Sequence, residues 1–130
     1  GKGGIGKSVT ATNISAHFAQ KGGKILHVGC DPKHDSSIKL LKEKKLLTTV
    51  LDMLSEDPDA VTAFNVLNEG MWGIKCIESG GPPAGTGCGG RGVARCIEFL
   101  DEIDTFNPKY YDYVLFDVLG DVVCGGFAMP

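Results

Sequence analysis

The chain has 130 residues, 42% hydrophobic and 22% charged, with a formal net charge of −3. That leaves room for one domain with an ordinary core, and the mildly acidic balance argues against a nucleic-acid binder. No apolar run approaches the ~20 residues of a membrane span, and the five cysteines contain no C-x-x-C. This is the pattern of a cytoplasmic protein with buried or metal-binding thiols rather than of a disulfide scaffold.

The chain opens on Gly1-Lys2-Gly3-Gly4-Ile5-Gly6-Lys7-Ser8, which satisfies G-x-x-x-x-G-K-[ST]. Such glycines let backbone N–H groups turn inward around a polyphosphate. Lys7 reaches the β/γ-phosphates and Ser8 offers its hydroxyl to Mg²⁺. The ligand class is therefore a nucleoside triphosphate. The loop normally follows a strand, so the sequence is expected to be an internal piece of a longer protein: one partial P-loop ATPase domain over 1–130, without its first strand and its C-terminal half.

A helix is expected from Lys7 to about Gln20, with Ala11, Ile14, Ala16 and Phe18 among its apolar positions, stopped by Lys21-Gly22-Gly23. Lys24–Gly29 reads as a short apolar strand. Thr48–Leu54 reads as a short helix, and Asp57-Pro58 can open another. Gly73–Glu78 is a second strand, followed by a glycine-rich loop from Ser79 to Gly92. Val93 to about Ile103 is helical, with Val93, Ile97, Leu100 and Ile103 on one face. Tyr113–Asp117 is a third buried strand. Strands alternating with helices imply an α/β fold, a parallel sheet flanked by helices, with its ligand at the carboxyl ends of the strands. The segments Cys30–Asp35, Ser79–Gly92 and Asp117–Gly126 each follow a strand and so share one rim.

The polar residues of that rim carry the chemistry. Asp117 ends an apolar strand, the Walker-B arrangement that holds Mg²⁺ directly or through water. Asp121 suits a switch that senses the γ-phosphate. Asp31 or Asp35 could position the attacking water or touch Mg²⁺, or each could be a turn or cap residue. Lys2 is either a surface lysine or a cation that reaches across a dimer interface to the partner's nucleotide. Cys88 and Cys124 are flanked by glycines, which let backbone approach a bulky object and donate N–H bonds to it. They are either two loop thiols or ligands of a [4Fe–4S] cluster, which needs four thiolates and so a two-fold dimer. Cys30, Cys76 and Cys96 read as structural thiols, and His17 and His27 as structural or surface residues.

These blocks together resemble the nitrogenase iron protein (dinitrogenase reductase) family: Gly1–Ser8, Gly29–Asp35, Glu78–Pro82, Gly87–Val93 and Phe116–Phe127. The resemblance implies a homodimer with one [4Fe–4S] cluster held by Cys88 and Cys124 of each subunit, and MgATP bound by Gly1–Ser8. It places Asp31–Asp35 in a first nucleotide switch and Asp117–Asp121 in a second that runs on to Cys124. Arg91 matches an arginine that is ADP-ribosylated in some members. The implied activity is ATP-dependent electron transfer from the cluster to a dinitrogen-reducing partner, a molybdenum–iron-type or related α/β reductase component, with ferredoxin or flavodoxin as electron donor. His34 and Pro82-Pro83-Ala84-Gly85 resemble instead the ATPase subunit of light-independent protochlorophyllide reductase and related tetrapyrrole reductases, whereas Glu78-Ser79, Gly90-Arg91-Gly92-Val93 and Ala128-Met129-Pro130 resemble nitrogenase iron proteins. Two further P-loop classes fit less well. A partitioning ATPase needs no glycine-flanked cysteines, and an iron–sulfur assembly scaffold carries a C-x-x-C.

Overall fold

The computed structural model describes residues 7–30, 37–38, 40–43, 47–80 and 89–118. Four strands form one sheet in the order β2-β3-β1-β4, where β1 is Ile25–Cys30, β2 Asn68–Glu69, β3 Lys75–Glu78 and β4 Tyr113–Val118. The central strand β1 pairs parallel with both β3 and β4, and β2 pairs antiparallel with β3. The helices are α1 (Lys7–Gln20), α2 (Val50–Glu56) and α3 (Gly89–Glu102), with short 3₁₀ turns at Pro58–Ala60 and Met71–Gly73.

Side chains of β1 alternate between two cores, as the strand period of two requires. Leu26, Val28 and Cys30 pack with Val50 of α2 and with Cys96 and Leu100 of α3. Ile25 packs on the opposite face with Ala19 of α1, Leu40, Leu41, Ile74 and Cys76. Every residue of β1 is buried. This is the expected α/β sandwich, with helices on both faces.

Helix α1 ends as its glycines predict. Gly22 takes φ +90°, and the amides of Gly22 and Gly23 donate to the carbonyls of Ala19 and Phe18, each at 3.0 Å. This is a Schellman motif. Thr12, Ser15 and Ala19 of this helix are buried, whereas Ile14 is exposed. Helix α2 starts two residues later than expected, because Thr49 caps it by accepting the Asp52 N–H at 3.1 Å. Asp57 caps the 3₁₀ turn that has Pro58 at its start.

Two features depart from the sequence reading. Helix α3 begins at Gly89 rather than Val93, so the glycine-rich loop is shorter and Arg91 lies in the first helical turn. Each glycine in a helix costs about 1 kcal/mol relative to Ala, and docking of the Cys96–Leu100 stripe into the core offsets it. The helix then stops without glycine: Asp104 takes φ 61° and Thr105 N–H donates to Leu100 O at 2.9 Å. The second departure is β2, a two-residue edge strand joined to β3 through Trp72 (φ 55°) and Gly73 (φ 78°). Glu69 on this edge is bridged by Lys75 at 3.1 Å and Lys42 at 3.3 Å.

Candidate functional site

Strands β1, β3 and β4 run parallel and end at Cys30, Glu78 and Val118. Their carboxyl ends therefore share one rim of the sheet; in sequence they are followed by the segments carrying Asp31 and Asp35, Cys88, and Asp121 and Cys124. Helix α1 points its amino end at the same rim. Ser15 meets His27, and Ala19 packs in one cluster with Ile25, so the helix runs opposite to the strand. From Ser15 back to Lys7 the helix rises ~12 Å, the length of between three and four strand residues. That brings Lys7 level with the end of β1. The unsatisfied amides and positive dipole end of α1 thus face the rim, a ready anion site.

Asp117, Gly29 and Glu78 lie abreast on β4, β1 and β3, since Gly29 pairs in register with both acids. Leu115 and Cys76, two residues earlier on their strands, belong to the α1-side core, so both carboxylates share that face. Asp117 is 6% exposed and Glu78 1%. Gly29 between them is required to be glycine. A Cβ there would lie 2.6 Å from Glu78 Oε1 and overlap Oε2. Ser79 continues the β1–β3 ladder, its amide and hydroxyl both donating to Gly29 O at 2.8 and 3.0 Å. Gly80 turns away with φ +81° against Thr49.

One row below this acidic pair, His27 is wholly buried on the same face, and its Nδ1 lies 2.9 Å from Ser15 Oγ. Burial pushes its pKa down from 6.5 to about 4, against the charge of Asp117, which pulls it up. The imidazole is therefore neutral at pH 7. The unfolded chain binds a proton near pH 6.5 and the folded one only near pH 4, so acid favours unfolding between these values. Stability should be flat above pH ~6.5 and fall by about 3 kcal/mol as the pH drops to 4. Chemical denaturation of the full-length protein against its His27→Gln variant across that range checks this: the variant should lose most of the slope.

The described cysteines Cys30, Cys76 and Cys96 are buried and free. Burial pushes each thiol up to about 12, so all three stay protonated. They are the structural thiols expected, and iron needs thiolates. Among the described residues no three His, Cys, Asp or Glu side chains gather as a metal site. Cys88 and Cys124 lie outside the described residues.

The profile of a family described as 4Fe-4S iron sulfur cluster binding proteins, NifH/frxC family, matches residues 1–130. The chain belongs to that family. Two similar relatives of this NifH/frxC protein are the light-independent protochlorophyllide reductase iron-sulfur ATP-binding proteins of Pelodictyon phaeoclathratiforme and Chlorobium phaeobacteroides. Each is 50% identical over 133 residues, covering 100% of this chain and 47% of the relative. The chain thus spans about half the length of the curated relatives it matches. Among solved structures, cobyrinic acid a,c-diamide synthase from Mycobacterium smegmatis with a bound ATP analog and magnesium shares 25% identity at a TM-score of 0.57, over 89% of this chain and 47% of that one. The MinC:MinD cell division complex of Aquifex aeolicus gives a TM-score of 0.61 at 20% identity, over 91% of this chain and 44% of that one. Together with the family match, these likenesses make the fold that of a P-loop NTPase.

Of the site residues expected in this NifH/frxC chain, the structure describes Asp117 in full. Lys7 and Ser8 open α1 and Arg91 lies in the first turn of α3. Gly1, Lys2, Gly3, Gly4, Ile5, Gly6, Asp31, Asp35, Cys88, Asp121 and Cys124 lie outside the described residues. Glu78, to which the sequence alone gives no role, is placed beside Asp117 by the register of β3 with β1. A cavity of about 740 Å³ lined by Lys24, Phe64, Lys75 and Tyr110 lies at the amino ends of the strands, away from this rim. No described helix is long and apolar enough to cross a membrane.

Proposed function

We propose that the whole protein is an ATP-dependent electron-transfer ATPase, a homodimer that delivers single electrons from a [4Fe–4S] cluster to a tetrapyrrole-reducing partner of the protochlorophyllide reductase type. The observation that carries the iron–sulfur part is the NifH/frxC match over the whole chain. The cysteine chemistry agrees: three thiols are held protonated in the core, and the remaining two are flanked by glycine. Cys88 immediately precedes α3, and the amino end of a helix favours a thiolate. Cys88 and Cys124 of two subunits would hold the cluster, which supplies a one-electron reductant when bound.

MgATP belongs at the strand ends, beside Asp117 and the amino end of α1. The amino end of α1, following Gly1–Gly6, takes the polyphosphate, with Lys7 on the β/γ-phosphates and Ser8 and Asp117 on Mg²⁺. Lys2 reads as the cross-subunit cation, and Asp31, Asp35 and Asp121 as the groups that position water and sense the γ-phosphate. Asp121 lies close in sequence to Cys124, so nucleotide state and cluster environment change together.

The choice of partner rests on the relatives. Sequence reading put the dinitrogen-reducing component first and the protochlorophyllide-type component second. The 50% identical relatives are named for the second, as Pro82-Pro83-Ala84-Gly85 and His34 also favour. The test is turnover of the full-length protein, reduced and supplied with MgATP, on each catalytic component. Chlorophyllide formation with no acetylene reduction is the expected result; acetylene reduction alone would return the protein to the nitrogenase branch.

A further inference from the structure

Glu78 has no part in the hydrolysis just described, yet it is buried and charged by nature, and it stands beside the site. A carboxylate is costly to bury unless its oxygens are bonded. Here Oε1 accepts the backbone N–H of Ser37 at 2.8 Å, a buried bond between residues 41 apart in sequence. The carboxylate reaches it because Gly29 leaves open the space that a Cβ would fill. Ser37 closely follows Asp31 and Asp35, the candidate first switch. Glu78 is followed by the run that leads to Cys88.

The strand end that carries Glu78 is itself fixed. Ser79 is bonded to Gly29 through both amide and hydroxyl, Ser79 O accepts from Leu51 N–H at 3.1 Å, and Gly80 is wedged on Thr49. A displacement of Ser37 therefore acts on an anchored carboxylate, at the root of the segment that carries a cluster ligand. We propose that Glu78 is a positioning residue that ties the end of the Asp31–Asp35 segment to the strand leading into Cys88. It gives the nucleotide a second mechanical route to the cluster, separate from the Asp117–Cys124 run. The proposal rests on the reading that nucleotide state governs the cluster.

The experiment uses the full-length, cluster-loaded dimer under anaerobic conditions and follows removal of iron by a bipyridyl chelator with and without MgATP. In the wild type MgATP should change the chelation rate. In Glu78→Ala that response should shrink at least about fivefold, the lower range of allosteric coupling, while MgATP affinity stays within about twofold. Glu78→Gln, which keeps an oxygen for the Ser37 N–H, should retain most of the response. A full response in Glu78→Ala overturns the role of Glu78 and leaves the functional reading standing. A wild type that ignores MgATP overturns both. Should Glu78→Ala not assemble, hydrogen exchange in the wild type decides. A protected Ser37 amide whose exchange shifts with MgATP in step with Ser79 and Gly80 supports the tie, and an amide that exchanges freely overturns it.

Discussion

Asp117→Asn in the full-length protein should slow MgATP hydrolysis at least about a hundredfold, the scale seen when a group that stabilises transition-state charge is removed. The expectation follows from where the strand leaves this carboxylate. Val114, Leu115 and Phe116 tie β4 into the two cores, and the register with β1 puts Asp117 beside Gly29 at the strand end. It is 6% exposed, so its field is little screened by solvent, and the amino end of α1 opens on the same rim. Asn conserves volume and keeps an oxygen acceptor, so the fold should survive. His27 would lose the one charge that raises its pKa and would stay neutral, adding no penalty at pH 7. Steady-state hydrolysis measured beside equilibrium nucleotide binding separates the effects. Hydrolysis at the wild-type rate in Asp117→Asn would remove Asp117 from the site.

The second large effect concerns the cluster. Anaerobically purified full-length protein should be brown and contain about four iron atoms per dimer, and Cys88→Ala should reduce iron to background. Cys96→Ala is the matched control. Its thiol is wholly buried and held protonated, so the variant should keep its iron and lose only about 1 kcal/mol of stability from the missing packing. Loss of iron from Cys96→Ala with retention in Cys88→Ala would reverse the assignment. Colour, iron content and thermal unfolding on the three proteins give the answer.

The features legible in the sequence were those written in local patterns. β1 and β4 are runs of apolar residues long enough to cross a sheet. Gly22-Gly23 announces the end of α1, and Asp117 announces itself by ending an apolar strand. The features that were not legible depend on partners distant in the chain. Ser15 is buried because the strand beneath it offers His27, while the apolar Ile14 is left exposed. The start of α3 was hidden because glycines at Gly89, Gly90 and Gly92 read as loop, while the energy that makes them helical comes from Cys96 and Leu100 docking in the core. Two residues are too few for β2 to show any alternation, and its direction is set by the turn at Trp72-Gly73. Glu78 looked like an ordinary strand terminus; its partner Ser37 lies on another segment.

ATP-gated electron release is tested by a single-turnover transfer measurement. Reduced full-length protein is mixed rapidly with a protochlorophyllide-type catalytic component, and oxidation of the cluster is followed by its visible absorbance. With MgATP the cluster should oxidise in one fast phase, and with a non-hydrolysable ATP analogue or MgADP it should stay reduced. Oxidation at the same rate without nucleotide would mean that ATP has no part in releasing the electron.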